Sequence, residues 1–180
     1  MKFTLQQLET ERLFLRPLQP MDVDDLKEIY SDRDTIKYWG MHPIHERADI
    51  SNIVKDATEA MASGTKLTLG VFECSSMKLV GLVLFFNLID TSRRGEIGYA
   101  LNRNYRRKGY MKEAMQSVIA YLFDEVGVRR IEADINPENK DSAKLLSSLN
   151  FEHEGTLKGR WEFDGKINDS QLYGLLNTNL

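Results

Sequence analysis

The sequence predicts a mixed α/β fold in which a largely antiparallel sheet is flanked by helices. Extended apolar runs at residues 66–73, 78–89 and 94–101 follow one another with only short polar connections, the pattern of an antiparallel meander. From residue 109 the apolar period becomes helical, with Met111, Met115, Val118, Ile119, Leu122 and Val126 on one stripe that ends at Gly127. Near the end of the chain Asp164-Gly165 stands between two extended runs, and Asp-Gly readily takes the positive φ angles of a tight hairpin turn.

The remaining elements follow in chain order. Residues 11–18 alternate Leu13 and Leu15 against Arg12, Phe14 and Arg16, a strand that Pro17 and Pro20 separate from a helix over residues 20–30. A second helix is expected over residues 46–62, with Ile50, Ile53, Val54, Ala57 and Met61 on one face and Gly64 as its stop; residues 39–43 between the two helices read as loop. After the long central helix, residues 130–135 place Ile131, Ala133 and Ile135 inward against Glu132 and Asp134, and residues 139–149 return to helix through Ala143, Leu146 and Leu149. Residues 156–163 and 166–176 form the closing hairpin. With 180 residues, 42% hydrophobic and 28% charged, and no repeat or Pro-rich linker, residues 1–180 are expected to fold as a single domain.

The formal net charge of −3 gives no overall field favouring nucleic acid or an anionic membrane. The longest strongly apolar stretch, residues 80–86, is far short of the roughly 20 residues of a membrane span. Residues 1–10 contain no signal-peptide core, and a cytoplasmic location is expected. Cys74 is the only cysteine, which excludes an internal disulfide, and His42, His45 and His153 have no companion ligand set, so no metal is expected.

The most informative segment is residues 101–114. A strand ends there, five basic residues (Arg103, Arg106, Arg107, Lys108 and Lys112) pass without an acid until Glu113, and a long helix begins at a glycine. Glycine lets backbone approach a phosphate, and the first turn of a helix offers unpaired N–H groups. Positive side chains at a helix N-terminus oppose its macrodipole, so this pattern calls for an anion; a solvated basic cap is the plainer alternative.

Arg106-x-x-Gly109 is similar to the Q/R-x-x-G-x-G/A loop of the GCN5-related N-acetyltransferases (GNAT). Glu96-Ile97-Gly98-Tyr99 before it, and Asn136-Pro137-Glu138-Asn139-x-x-Ser142 and Leu149-Asn150-Phe151 after it, resemble other motifs of that family. Residues 8–17 resemble the opening strand of its RimJ/RimL-like branch of ribosomal-protein N-acetyltransferases, and residues 164–176 its closing hairpin, so the resemblance covers nearly the whole chain. It implies a GNAT fold, a twisted, mostly antiparallel sheet of about seven strands whose parallel pair splays at an acetyl-CoA site. It also implies acetyl transfer to a primary amine, most simply a protein N-terminal α-amine, by direct attack without an enzyme nucleophile. In this reading Ile97, Gly98, Tyr99 and Leu101 hold the pantetheine arm, Arg106, Arg107, Lys108, Gly109, Tyr110, Met111 and Lys112 surround the pyrophosphate, and Asn136, Asn139 and Ser142 complete the cofactor site.

For the general base the resemblance ranks Glu96 first and Glu162 second, although Trp161 occupies the matching position and Glu162 falls one residue late, which reverses its face unless a bulge intervenes. Ser142 is the group expected at the cofactor sulfur, because Leu146 stands where many members carry an acidic tyrosine; Tyr105 and Tyr173 are reserve donors. Met111 and Arg107 depart from the small residues usual in the loop, and their side chains must point away from the pyrophosphate or crowd it. Tyr38, Trp39 and Trp161 are candidates to line an acceptor pocket, with ordinary packing as the alternative. Other acceptors open to this chemistry are polyamines, amino acids or antibiotics, and a non-catalytic CoA sensor is the competing class; no nucleic acid or membrane partner is expected, and both monomer and homodimer are open.

Overall fold

The computed structural model describes residues 1–178. In chain order the elements are β1 Leu8–Glu9, β2 Leu13–Pro17, α1 Val23–Ser31, α2 Arg33–Ile36, α3 Arg47–Ala62, β3 Leu67–Glu73, β4 Leu79–Ile89, β5 Arg94–Leu101, α4 Tyr110–Asp124, β6 Arg130–Ile135, α5 Lys140–Ser148, β7 Glu152–Phe163 and β8 Lys166–Leu176. The strands form one sheet in the order β1-β2-β3-β4-β5-β6-β8-β7. Every pairing is antiparallel except β5 with β6.

Two apolar layers sandwich the centre of this sheet. Leu13, Leu15, Val83, Phe85, Ile97, Ile131 and Ala133 pack on the α4 side against Met111, Met115, Val118 and Leu122. On the other face Phe72, Leu79, Leu82 and Leu84 meet Leu26 and Ile29 of α1 and Ile50 and Val54 of α3. Strands covered on both faces lose the polar half of their alternation, which is why β3 and the first half of β4 are buried almost without a break. Phe14, outward in the alternation of β2, finds its place on the second face, stacked on Phe72 at 4.9 Å.

The sheet has eight strands rather than about seven, because β1, only two residues long, adds itself to β2 through Leu8↔Leu15 and Glu9↔Phe14. β7 begins at residue 152, earlier than its alternation indicates, since two register shifts break the period along it. At the hairpin, Asp164 and Gly165 take φ angles of 51° and 71°, both positive as the Asp-Gly turn requires. A short helix, α2, precedes the loop expected at residues 39–43.

Candidate active site

β5 and β6 pair only through Arg94↔Arg130, Gly95↔Ile131 and Glu96↔Glu132. Beyond Glu96 they part, while β5 continues against β4 as far as Leu101. The edge of Ile97, Gly98, Tyr99 and Leu101 that faces β6 is therefore left without a strand partner, a backbone edge available to an extended ligand.

The chain leaves this edge for the start of α4. Gly109 is the N-cap residue at φ 81°, a left-handed conformation that glycine adopts without strain. Among the described residues nothing accepts from the N–H groups of Tyr110, Met111 and Lys112. Arg107 and Lys112 are exposed and form no ion pair among the described residues, so two cations stand unneutralised at the positive end of the α4 dipole. This arrangement fits an anion such as a pyrophosphate.

The other basic side chains hold the loop in shape. Arg106 donates to the Asp34 carbonyl at 3.2 Å and to Thr35 Oγ1 at 3.1 Å, tying the loop to α2. Lys108 lies over the Tyr105 ring at 4.9 Å and the Tyr110 ring at 5.7 Å. Met111 is only 6% exposed and faces the core, so it does not crowd the loop's outer surface. Arg107 itself sits at φ 63°, a left-handed backbone conformation that favours glycine.

An unanticipated clamp secures this loop from beneath. Arg12 donates to the Lys108 carbonyl at 2.8 Å and to Glu113 Oε2 at 2.7 Å. Glu113 also accepts from the Arg12 N–H at 2.8 Å and from Thr10 Oγ1 at 2.6 Å. Burial pushes the Glu113 carboxyl up, but these hydrogen bonds outweigh it and hold it below the ordinary 4.5. A depressed acid contributes stability above its unfolded value and loses it as pH falls through its folded value. Stability is thus expected to decline as pH drops below 4.5. Glu113→Gln should flatten that acid limb and cost about 1–2 kcal/mol at neutral pH, read by thermal melts across a pH series.

On the far side of the splay, Asn139 caps α5 by accepting the Ser142 N–H at 3.2 Å, which explains the three-residue spacing of this pair. Asn136 accepts from the Glu138 N–H at 2.8 Å and shapes the turn before the helix. Ser142 is 6% exposed, and its hydroxyl lies 2.6 Å from the phenol of Tyr99. Leu146 is wholly buried in the core, and Asn150 adopts φ 65°, the left-handed conformation that ends a helix and that Asn tolerates. Tyr105 is engaged with Lys108, and Tyr173 is buried beside His153, with ring centroids 5.2 Å apart.

Glu96 lies on the opposite face of the sheet, at a cavity of roughly 160 Å³ bordered by Arg94, Arg130, Glu132, Asp134, Glu154, Arg160 and Tyr173. Arg94 and Arg130 reach Glu132 at 2.5 and 2.7 Å, Arg130 also binds Glu154, and Arg160 pairs with Asp134 at 3.0 Å. Glu96 is the one carboxylate of this group without a hydrogen bond or ion pair among the described residues. Asp134, which its alternation with Ile131 and Ala133 already turned away from the core, also accepts from Ser170 Oγ and from the Trp161 indole at 3.1 Å.

Trp161 is thereby drawn over this face while remaining 55% exposed. Glu162, its neighbour in the strand, falls on the opposite side and is exposed. The register shifts between His153 and Gly155 and between Leu157 and Trp161 add one and two residues to β7 relative to β8. Trp39 is used in packing, edge-on to Tyr30 at 5.7 Å, and Tyr38 donates to the Glu138 carbonyl at 3.3 Å beside the α5 turn.

Residues 12–152 match the family model described as an acetyltransferase (GNAT) domain. The chain is 34% identical over 173 residues to the uncharacterized N-acetyltransferase p20 of Bacillus licheniformis, covering 96% of this chain and 97% of that protein. It is 29% identical to the ribosomal protein uS5-alanine N-acetyltransferase of Escherichia coli, covering 93% of this chain and 89% of the relative. The structure of a GNAT-family acetyltransferase from Bacillus anthracis superimposes with a TM-score of 0.86 at 27% identity, covering 95% of this chain and 98% of the other.

Proposed function

The chain belongs to the GNAT acetyltransferase family and is an acyltransferase, and from that premise we propose that it moves an acetyl group from acetyl-CoA to a protein N-terminal α-amine in the cytosol. The observation that carries the cofactor assignment is the continuous run from the unpaired edge of β5 to the unneutralised basic start of α4. Ile97, Gly98, Tyr99 and Leu101 would hold the pantetheine arm through backbone groups. Gly109, the N–H groups of Tyr110, Met111 and Lys112, and the charges of Arg107 and Lys112 would hold the pyrophosphate. Arg106, through Asp34 and Thr35, and Lys108, over the Tyr105 ring, brace that loop.

Bound acetyl-CoA supplies an activated acyl thioester. Glu96, unpaired and half-buried, takes a proton from the acceptor amine directly or through water. Ser142, at the other side of the splay, donates to the departing sulfur. Trp161, fixed by Asp134, walls the acceptor side, and its exposure leaves room for a polypeptide. Support for an α-amine acceptor comes from the uS5-alanine N-acetyltransferase relative, which matches over nearly the full chain.

Calorimetric titration with acetyl-CoA, followed by thiol release against peptides with free N-termini, polyamines and amino acids, tests this reading. Peptide-dependent release that N-terminal blocking abolishes is the expected result. Release with polyamines or amino acids alone would replace the acceptor class, and binding without release would return the CoA sensor.

A further inference from the structure

One hydrogen bond spans the opening between β5 and α5. Tyr99 lies three residues beyond Glu96, the last position of β5 paired with β6, and its phenol meets Ser142 at 2.6 Å. Each hydroxyl carries a single proton, so the direction of this bond decides what Ser142 can do next. If Ser142 donated to the phenol, it would have no proton for another acceptor. If the phenol donates, the Ser142 proton is free.

Relative acidity favours the second arrangement. A phenol is a stronger acid than an alcohol and the better donor of the two. Burial pushes Tyr99 up to about 12, so the phenol keeps its proton across the neutral range and has one to donate. One turn further along α5 the side chain is Leu146, fully buried and without a proton to donate.

We infer that Tyr99 is a positioning residue whose phenol donates to Ser142 Oγ and so aims the Ser142 proton at the sulfur of the leaving thiolate. The inference rests on the acetyl transfer proposed above. In that transfer the nitrogen–carbon bond forms, the carbon–sulfur bond breaks with its electron pair on sulfur, and the amine proton passes to Glu96 or water. The thiolate is held by Ser142 until solvent protonates it, and Tyr99 and Ser142 both keep their own protons.

The test compares Tyr99→Phe, Ser142→Ala and the double variant in the full-length enzyme, each checked by thermal melting. Tyr99→Phe is expected to lower kcat about tenfold while the KM for acetyl-CoA and the calorimetric affinity for CoA stay within about twofold of wild type. The double variant should be no slower than Ser142→Ala, because Tyr99 acts through Ser142. Fluorotyrosine at position 99, which keeps the ring and strengthens the donor, should preserve or raise kcat and provides the comparison if Tyr99→Phe folds poorly. Unchanged kcat in Tyr99→Phe, losses that simply add in the double variant, or a slower fluorotyrosine enzyme would overturn the inference while leaving the transferase reading intact. A wild-type protein that binds no acetyl-CoA, or acetylates no amine, overturns both.

Discussion

Gly109→Asp is expected to weaken acetyl-CoA binding about 100-fold while leaving a folded protein. The substitution puts a carboxylate where the N-terminus of α4 faces a phosphate, so attraction becomes repulsion at close range. It also places a side chain at φ 81° whose Cβ would lie 3.3 Å from Arg12 Nη2, disturbing the clamp beneath the loop. Neither effect should unfold the chain, because an acid at a helix N-terminus suits the macrodipole and Asp tolerates left-handed backbone better than most residues. Titration calorimetry against acetyl-CoA, with circular dichroism on the same sample, separates the two properties. Wild-type affinity in a folded Gly109→Asp protein would remove the pyrophosphate from this loop.

Arg130→Met is expected to cost about 2–3 kcal/mol, seen as a fall in melting temperature of about 5–10 °C. Arg130 is 18% exposed and donates to Glu132 at 2.7 Å and to both oxygens of Glu154. Methionine fills similar volume but leaves Glu154 without its partner and Glu132 with Arg94 alone. Glu154, held below the ordinary carboxylate range chiefly by its Arg130 hydrogen bond, should rise toward that range in the variant. The consequence reaches the active site because Arg94, Arg130 and Glu132 lie where β5 and β6 are still paired, immediately before the strands part at Glu96. A loosened pair should raise the KM for acetyl-CoA as well. A melting temperature within about 1 °C of wild type would show that the cluster is held by solvent-screened contacts of little energetic consequence.

The local devices of the site were legible. The glycine start of α4, the Asn139 cap three residues before Ser142 and the Asp-Gly hairpin turn all depend on backbone geometry within a few residues. Met111 was ambiguous in the sequence because one position both ends the loop and belongs to the apolar stripe; burial settles it in favour of the stripe. Trp39 was legible only as an aromatic near a loop, and its edge contact with Tyr30 depends on how α1 and the following segment fold back. The extra strand β1 was too short to show a period at all.

Period, capping and turn chemistry over short spans were enough to read the order of the longer strands and helices, the parity of β2 and β6, the anion-seeking start of α4 and the family motifs. Long-range packing set which carboxylate beside the β5–β6 pair stays unpaired among the described residues, which phenol reaches Ser142 and which acid anchors Trp161. Those partners are 27 to 43 residues apart in the chain for Trp161 with Asp134 and Tyr99 with Ser142. They meet because a parallel β5–β6 pair requires a crossover through α4, and β8 then inserts beside β6 before β7, placing side chains together at separations that carry no periodic signal.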